Sequence, residues 1–177
     1  MTFDLTEATA QLSRTPAVLR ALVEPLPEPW LHVTEGPGTW SPIQVVRHLT
    51  WGEEDDWIPR ARLILEQQDR APFVPFDREA GEARYADLNI RVLLDEFSRL
   101  RTANLRELRK MNLCAEHLAL PGLHPTLGTV TLAQLLATWV AHDLSHLTQI
   151  SRTLGRQYRE AVGPWHQFMR ILSTSND

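Results

Sequence analysis

Cysteine occurs once in the 177 residues, as Cys114, which excludes an internal disulfide and a cysteine-built metal cluster and fits a reducing compartment. Lysine is equally scarce: Lys110 stands alone among 18 basic residues, the rest being arginine. Positive charge is not in excess, since the formal net charge is -4 and the pI near 6.0, so no basic field exists to hold nucleic acid. No apolar run reaches the roughly 18 residues of a membrane span, and no signal-peptide pattern is present. The expectation is a soluble cytoplasmic protein with neither a membrane nor a nucleic-acid partner. Internal repeats are lacking, and no convincing run alternates apolar and polar residues as a strand does.

What the chain does contain is apolar residues at helical spacing, 43% of the total being hydrophobic, enough for one domain over residues 1–177. Leu5 to Val23 is weakly amphipathic, with Thr15-Pro16 predicted to cap or kink it. Ser41 as N-cap and Pro42 at the first helical position open a second helix, predicted to run to about Gln67 with a bend at Pro59. A third runs from Asp87 as N-cap to Met111, with Arg91, Arg99, Arg101 and Arg106 assigned to solvent. Thr131 and Gln134 form a capping box that starts a fourth, ending near Leu154 and Gly155. Residues 69–82 and 120–129, rich in proline and glycine, read as linkers, the second folding over a bundle end. Tyr158 to Leu172 is predicted to add a short helix and Ser173 to Asp177 to fray. The fold class is all-α, a four-helix bundle.

The stretch of this chain that most demands an explanation is His142-Asp-Leu-Ser-His146. Histidines four apart on a helix share a face, and here Leu132, Leu135, Leu136, Trp139, Leu147 and Ile150 surround them. Buried imidazoles need partners. His48 also faces inward, about as far from the start of its helix as His146 is from the end of its own. An antiparallel pairing of the two helices therefore brings all three to one level, with Gly52 leaving room for a pocket. Three imidazoles can hold one divalent ion and leave a position open. The spacing lacks the glutamate of the His-Glu-x-x-His protease pattern, Asp143 standing in its place. Bland alternatives attach to the other candidates. Glu53, Asp55 and Asp56 read as an exposed acidic run, one of which is a candidate general base. Asp143 reads as solvated or interhelical, and Cys114 as buried and structural. His32, His117, His124 and His166 read as surface residues, with His124 in a loop able to close over the site. Trp51, Trp57, Trp139 and Trp165 read as core or dimer surface.

Trp40-Ser-Pro-x-x-Val-Val-x-His48-Leu49, followed about 90 residues later by His142-Asp-Leu-Ser-His146-Leu-Thr-Gln149-Ile, resembles the DinB superfamily, which includes YfiT-like metal-dependent hydrolases and thiol S-transferases. The resemblance implies a bundle in up-down-down-up order, often a homodimer, with a divalent metal (zinc, nickel, iron or manganese) held by His48, His142 and His146. For the transferases it also implies a low-molecular-weight thiol. No residue set in the chain marks a substrate, a catalytic group or a cofactor-binding group beyond these ligands. Two functions are therefore expected: a metal-dependent hydrolase or thiol S-transferase acting on a small molecule, or a non-catalytic bundle that binds a metal or small ligand in a stress response.

Overall fold

In the computed structural model, which describes residues 3–172, helix starts follow local chemistry closely. Helix α1 (Leu5–Val23) begins where the Asp4 carboxylate accepts the Glu7 N–H at 2.8 Å. It runs unbroken through Pro16 and is not divided into two pieces there. A proline leaves the carbonyl four residues back without its helical donor, and here that carbonyl, Leu12 O, accepts Arg101 Nη1 at 2.8 Å instead. Thr15, expected as a cap, donates its hydroxyl to Asp143 Oδ2 at 2.6 Å.

After the single turn α2 (Glu28–Leu31), α3 (Pro42–Asp55) opens as predicted, the Ser41 N–H donating to Gln44 Oε1 at 3.0 Å. The helix then breaks at Asp56 and resumes as α4 (Trp57–Gln67). Pro59 explains the position of the break, because its ring crowds the carbonyl of Asp55 and it has no N–H to donate there. The long linker contains a 3-10 turn (Gln68–Arg70) and the short α5 (Ala80–Arg84). Helix α6 (Ile90–Lys110) is capped by Asn89 in place of Asp87, the Asn89 Oδ1 accepting the N–H groups of Arg91 and Val92 at 3.1 Å. A further turn, α7 (Ala115–Leu118), leads to a feature absent from the sequence reading, the antiparallel hairpin β1 (Pro121–His124) and β2 (Gly128–Thr131). Phe73 N–H donates to Leu123 O at 2.9 Å, which ties the first linker to this hairpin. Helix α8 (Leu132–Arg156) starts at the expected capping box, Thr131 N–H to Gln134 Oε1 at 2.8 Å. In place of a C-terminal α-helix there are 3-10 turns at Gly163–Phe168 and Arg170–Leu172. The end expected to fray, Ser173 to Asp177, lies outside the described residues.

The four long segments form a four-helix bundle in which α6 lies between α1 and α3, and α8 between α1 and the α3–α4 arm. Two apolar clusters fill it. One gathers Leu19, Val23, Val45, Val46, Leu93, Phe97 and Ile150; the other gathers Leu12, Trp57, Ala61, Leu105, Leu132 and Trp139. Between them lies a layer of buried charge. Arg101, assigned to solvent from the sequence, is 1% exposed and binds Asp143 at 2.6 and 3.0 Å and Glu53 at 2.9 Å. Glu53, also expected outside, accepts Trp139 Nε1 at 3.0 Å and Asn104 Nδ2 at 3.1 Å. Cys114 is exposed, contrary to expectation, and faces His117 Nδ1 at 3.2 Å. Among the described residues, no helix is long and apolar enough to cross a membrane.

Helix α5 lies against α3 one residue from His48. A Cβ at Gly81 would stand 2.8 Å from Trp51 Cβ and 2.9 Å from Arg47 O, and a main-chain oxygen cannot swing aside. Gly81→Ala is therefore expected to destabilise the fold by about 1–3 kcal/mol, read as a lower urea midpoint. An unchanged midpoint would show that α5 is not closely seated.

Candidate metal centre

His48 is carried by α3, while His142 and His146 stand one turn apart on α8. The two arms run in opposite directions: the Trp57 ring stacks on Trp139 at 5.6 Å, whereas His48, earlier in its arm, faces His146, later in α8, at 4.7 Å. All three imidazoles converge as the sequence predicts. His142 Nε2 is 3.1 Å from both His48 Nε2 and His146 Nε2, and one nitrogen from each ring lies within 4.8 Å of the others.

This donor set fits a divalent ion. Two nitrogens bound at 2.0–2.1 Å to a tetrahedral centre lie roughly 3.3 Å apart, close to the spacing found. The His146 Nδ1–H donates to Gln149 Oε1 at 2.8 Å, which leaves its Nε2 lone pair facing the other rings. Burial disfavours the charged imidazolium and holds His48 and His142 down to about 3, with His146 lowered as well. The neighbouring imidazoles and the Arg78 guanidinium push in the same direction. Neutral rings are the ligating form.

Aromatic rings hold the histidines in place. Trp40 stacks on His146 at 6.2 Å and lies 4.7 Å from His48; Phe76 and Trp57 set their edges against His48 and His142 at 5.5 and 5.2 Å. The Nδ1 atoms of His48 and His142 have no hydrogen-bond partner among the described residues, so packing orients these two rings.

A pocket of about 530 Å³ opens beside the three rings, walled by α4 and α8 and roofed by the first linker and the hairpin. Its lining includes Trp40, Trp57, Arg60, Phe76, Arg78 and His124. Of the acidic run, Asp56 lines the pocket and Glu53 lies in the ionic layer beneath, while Asp55 is exposed. Asp56 is paired with Arg60 at 2.6 Å, yet burial, aided by Asp55 and Glu53, pushes its carboxyl up to about 6. Gly52, expected to make room for the pocket, is not part of its wall; a Cβ there would meet Trp57 Nε1 at 3.5 Å. His124 is half-buried and its Nδ1 accepts the Thr126 and Leu127 N–H groups at 3.1 Å, so it faces the pocket without joining the three. His32 and His166 are exposed. Asp143 points away from the histidines, its carboxylate bound by Arg101 and Thr15. Arg60 and Arg78 were not singled out from sequence, and Trp40 entered only as the first residue of the DinB-like stretch that leads to His48. Trp40 alone had a local signal, its place next to the Ser41 cap.

A model of the DinB superfamily matches residues 11–150. No curated protein matches the chain. Among solved structures, YfiT from Bacillus subtilis, described as a probable metal-dependent hydrolase with an unusual four-helix bundle topology, is similar. It has a TM-score of 0.74 and 24% identity over 86% of each chain. TT2238, described as a four-helix bundle protein, aligns with a TM-score of 0.59 and 22% identity, over 84% of this chain and 98% of its own.

Proposed function

Because the chain belongs to the DinB superfamily, we propose that it is a metal-dependent enzyme in which His48, His142 and His146 ligate one divalent ion, zinc, nickel, iron or manganese. The observation that carries this reading is the convergence of three neutral Nε2 atoms at one wall of an open pocket. A bound ion would supply Lewis acidity, lowering the pKa of a water or thiol brought to it. The surrounding residues have distinct tasks. Gln149 fixes the His146 tautomer, and Trp40, Trp57 and Phe76 hold the rings and exclude water. Asp56 takes and returns a proton at its carboxylate near neutrality, as a group with a pKa of about 6 does well. That carboxyl favours hydrolysis of a small molecule. Transfer of a low-molecular-weight thiol is the second reading, supported by the same donor set. The non-catalytic alternative fits less well, since a site for structure alone needs no adjoining pocket of this size.

The contacts between helix pairs also support up-down-down-up order. Arg20 meets Asp95 and Leu12 meets Arg101, whereas Glu53 meets Arg101 and Arg62 meets Glu107, so α6 opposes α1 and runs with the α3–α4 arm. A single domain, a homodimer and a cytoplasmic setting belong to the same proposal. Exposed Trp165 and Phe168 offer apolar surface for a dimer.

The test is metal content of protein purified without an affinity tag, followed by a pH titration. One ion per chain is expected. Because burial holds His48 and His142 near 3, protons compete for the folded site only well below 6.5, so metal should be retained at about pH 6 and lost at stronger acidity. Protein that neither holds nor takes up metal refutes the reading.

A further inference from the structure

We propose that the pocket takes a small anionic molecule whose carboxylate is bound by Arg78. The inference rests on the metal reading at one end of the pocket and on the pocket's charges at the other. Three lining residues carry formal charge: Asp56, Arg60 and Arg78. The first two neutralise each other at 2.6 Å. Arg78 remains, and it has no hydrogen-bond or ion-pair partner among the described residues. Glu79 and Glu82 line an adjoining cavity with Arg78, but Glu82 is engaged by Arg47 at 2.5 Å and Glu79 makes no ion pair with Arg78 or any other of the described residues.

An isolated guanidinium at the surface would be unremarked in another place. Here it lines the same pocket as all three imidazoles, so its charge adds to that of any cation they hold. A ligated ion and Arg78 thus leave the pocket with uncompensated positive charge, and no lining acid is free to offset it. A bound anion does so. One free guanidinium matches one carboxylate, which its fork of N–H donors grips in a bidentate manner. The intervening wall, with Trp40, Phe76, Leu127, Val130 and Leu135, is apolar, so the molecule between the two ends has a hydrocarbon or aromatic body. The position of Arg78 is fixed by its linker. Asp77 Oδ1 accepts the N–H groups of Glu79 and Ala80 at 2.9 and 3.2 Å, and Phe73 is tied to the hairpin.

The test uses protein loaded with cobalt(II), whose thiolate complexes absorb in the near ultraviolet. The probes are mercaptocarboxylates from mercaptoacetate to mercaptohexanoate, each against the hydroxyl-ended thiol of the same length. At the spacer length that spans the pocket, the carboxylate is expected to bind about tenfold or more tightly than its neutral partner. Arg78→Gln should bring that ratio close to unity, with cobalt bound at least as tightly as in wild type and neutral-thiol affinity retained. Arg78→Lys, which keeps charge without the fork, should retain part of the preference. Equal affinities at every length in wild type, or a preference that survives Arg78→Gln, overturns the inference and leaves the metal reading standing. Protein that takes up no cobalt overturns both.

Discussion

His142→Ala is expected to reduce bound metal from one ion per chain to a trace, measured by elemental analysis on protein reloaded and then desalted. His142 Nε2 is the nitrogen common to both short contacts, 3.1 Å from each partner, so its removal leaves two rings where three converged. Loss of a partner that merely orients a ligand costs roughly 10–100-fold in metal affinity, and loss of a ligand itself costs more. Gln149→Leu, which frees the His146 tautomer, should therefore fall in that lower range while His142→Ala exceeds it. His124→Ala, in the same pocket but outside the three, should bind metal as wild type does. If His142→Ala still carries one ion per chain, the histidines are not the ligands.

Arg101→Leu is expected to cost about 3–5 kcal/mol, a large share of the roughly 5–15 kcal/mol that stabilises a domain. The substitution strands two carboxylates, Glu53 and Asp143, both 2% exposed, together with the Leu12 carbonyl that Pro16 leaves without a helical donor. Acid should narrow the deficit. Burial already raises Glu53, and Arg101 is the chief group lowering it again. Without Arg101 the folded state keeps a proton that the unfolded chain gives up in the ordinary carboxylate range. The folded form then binds more protons, so its stability falls as pH rises through that window. Urea unfolding of variant and wild type at about pH 5 and pH 8 should show the gap smaller at the lower value. Taking the difference removes most of the opposing response of the histidines, of which His142 alone feels Arg101 and only as a minor influence beside burial. Replacing Glu53, Arg101 and Asp143 together with leucine should recover much of the loss, because an apolar layer needs no pairing. A gap that does not respond to pH would mean that water reaches the layer.

The three-histidine cluster was legible because two simple periodicities carried it. Four-residue spacing put His142 and His146 on one face, and counting from the Ser41 cap put His48 at their level. The ionic layer was misread although its geometry was equally plain. In α6 the buried stripe is Leu94, Phe97, Arg101, Leu105 and Leu108, and in α8 it is Leu132, Leu136, Trp139, Asp143 and Ile150. Both charged residues lie on the core stripe. Their chemistry was allowed to outvote their position, since one buried charge is implausible until its partner on another helix is known. Asp143, not the histidines, occupies the deepest face of α8; His142 and His146 are half-buried at its border, where the pocket begins. The hairpin escaped because strands of four residues are too short to show alternation. Arg78 and Phe76 escaped for another reason: a linker's path over a bundle is set by contacts such as Phe73 with Leu123, which leave no local pattern.

The bond between Phe73 and Leu123 makes one canopy out of two connecting segments that are distant in sequence, and that canopy supplies much of the pocket's rim while the helices supply the imidazoles. Helical scaffold and pocket rim are thus largely separable parts. Changes at Arg78, Thr126 or Leu127, which line the pocket but belong to neither apolar cluster, can reshape its rim without disturbing the three histidines or the ionic layer. A chain built this way can change the shape of its pocket at its connections while keeping the three-histidine cluster on its helices.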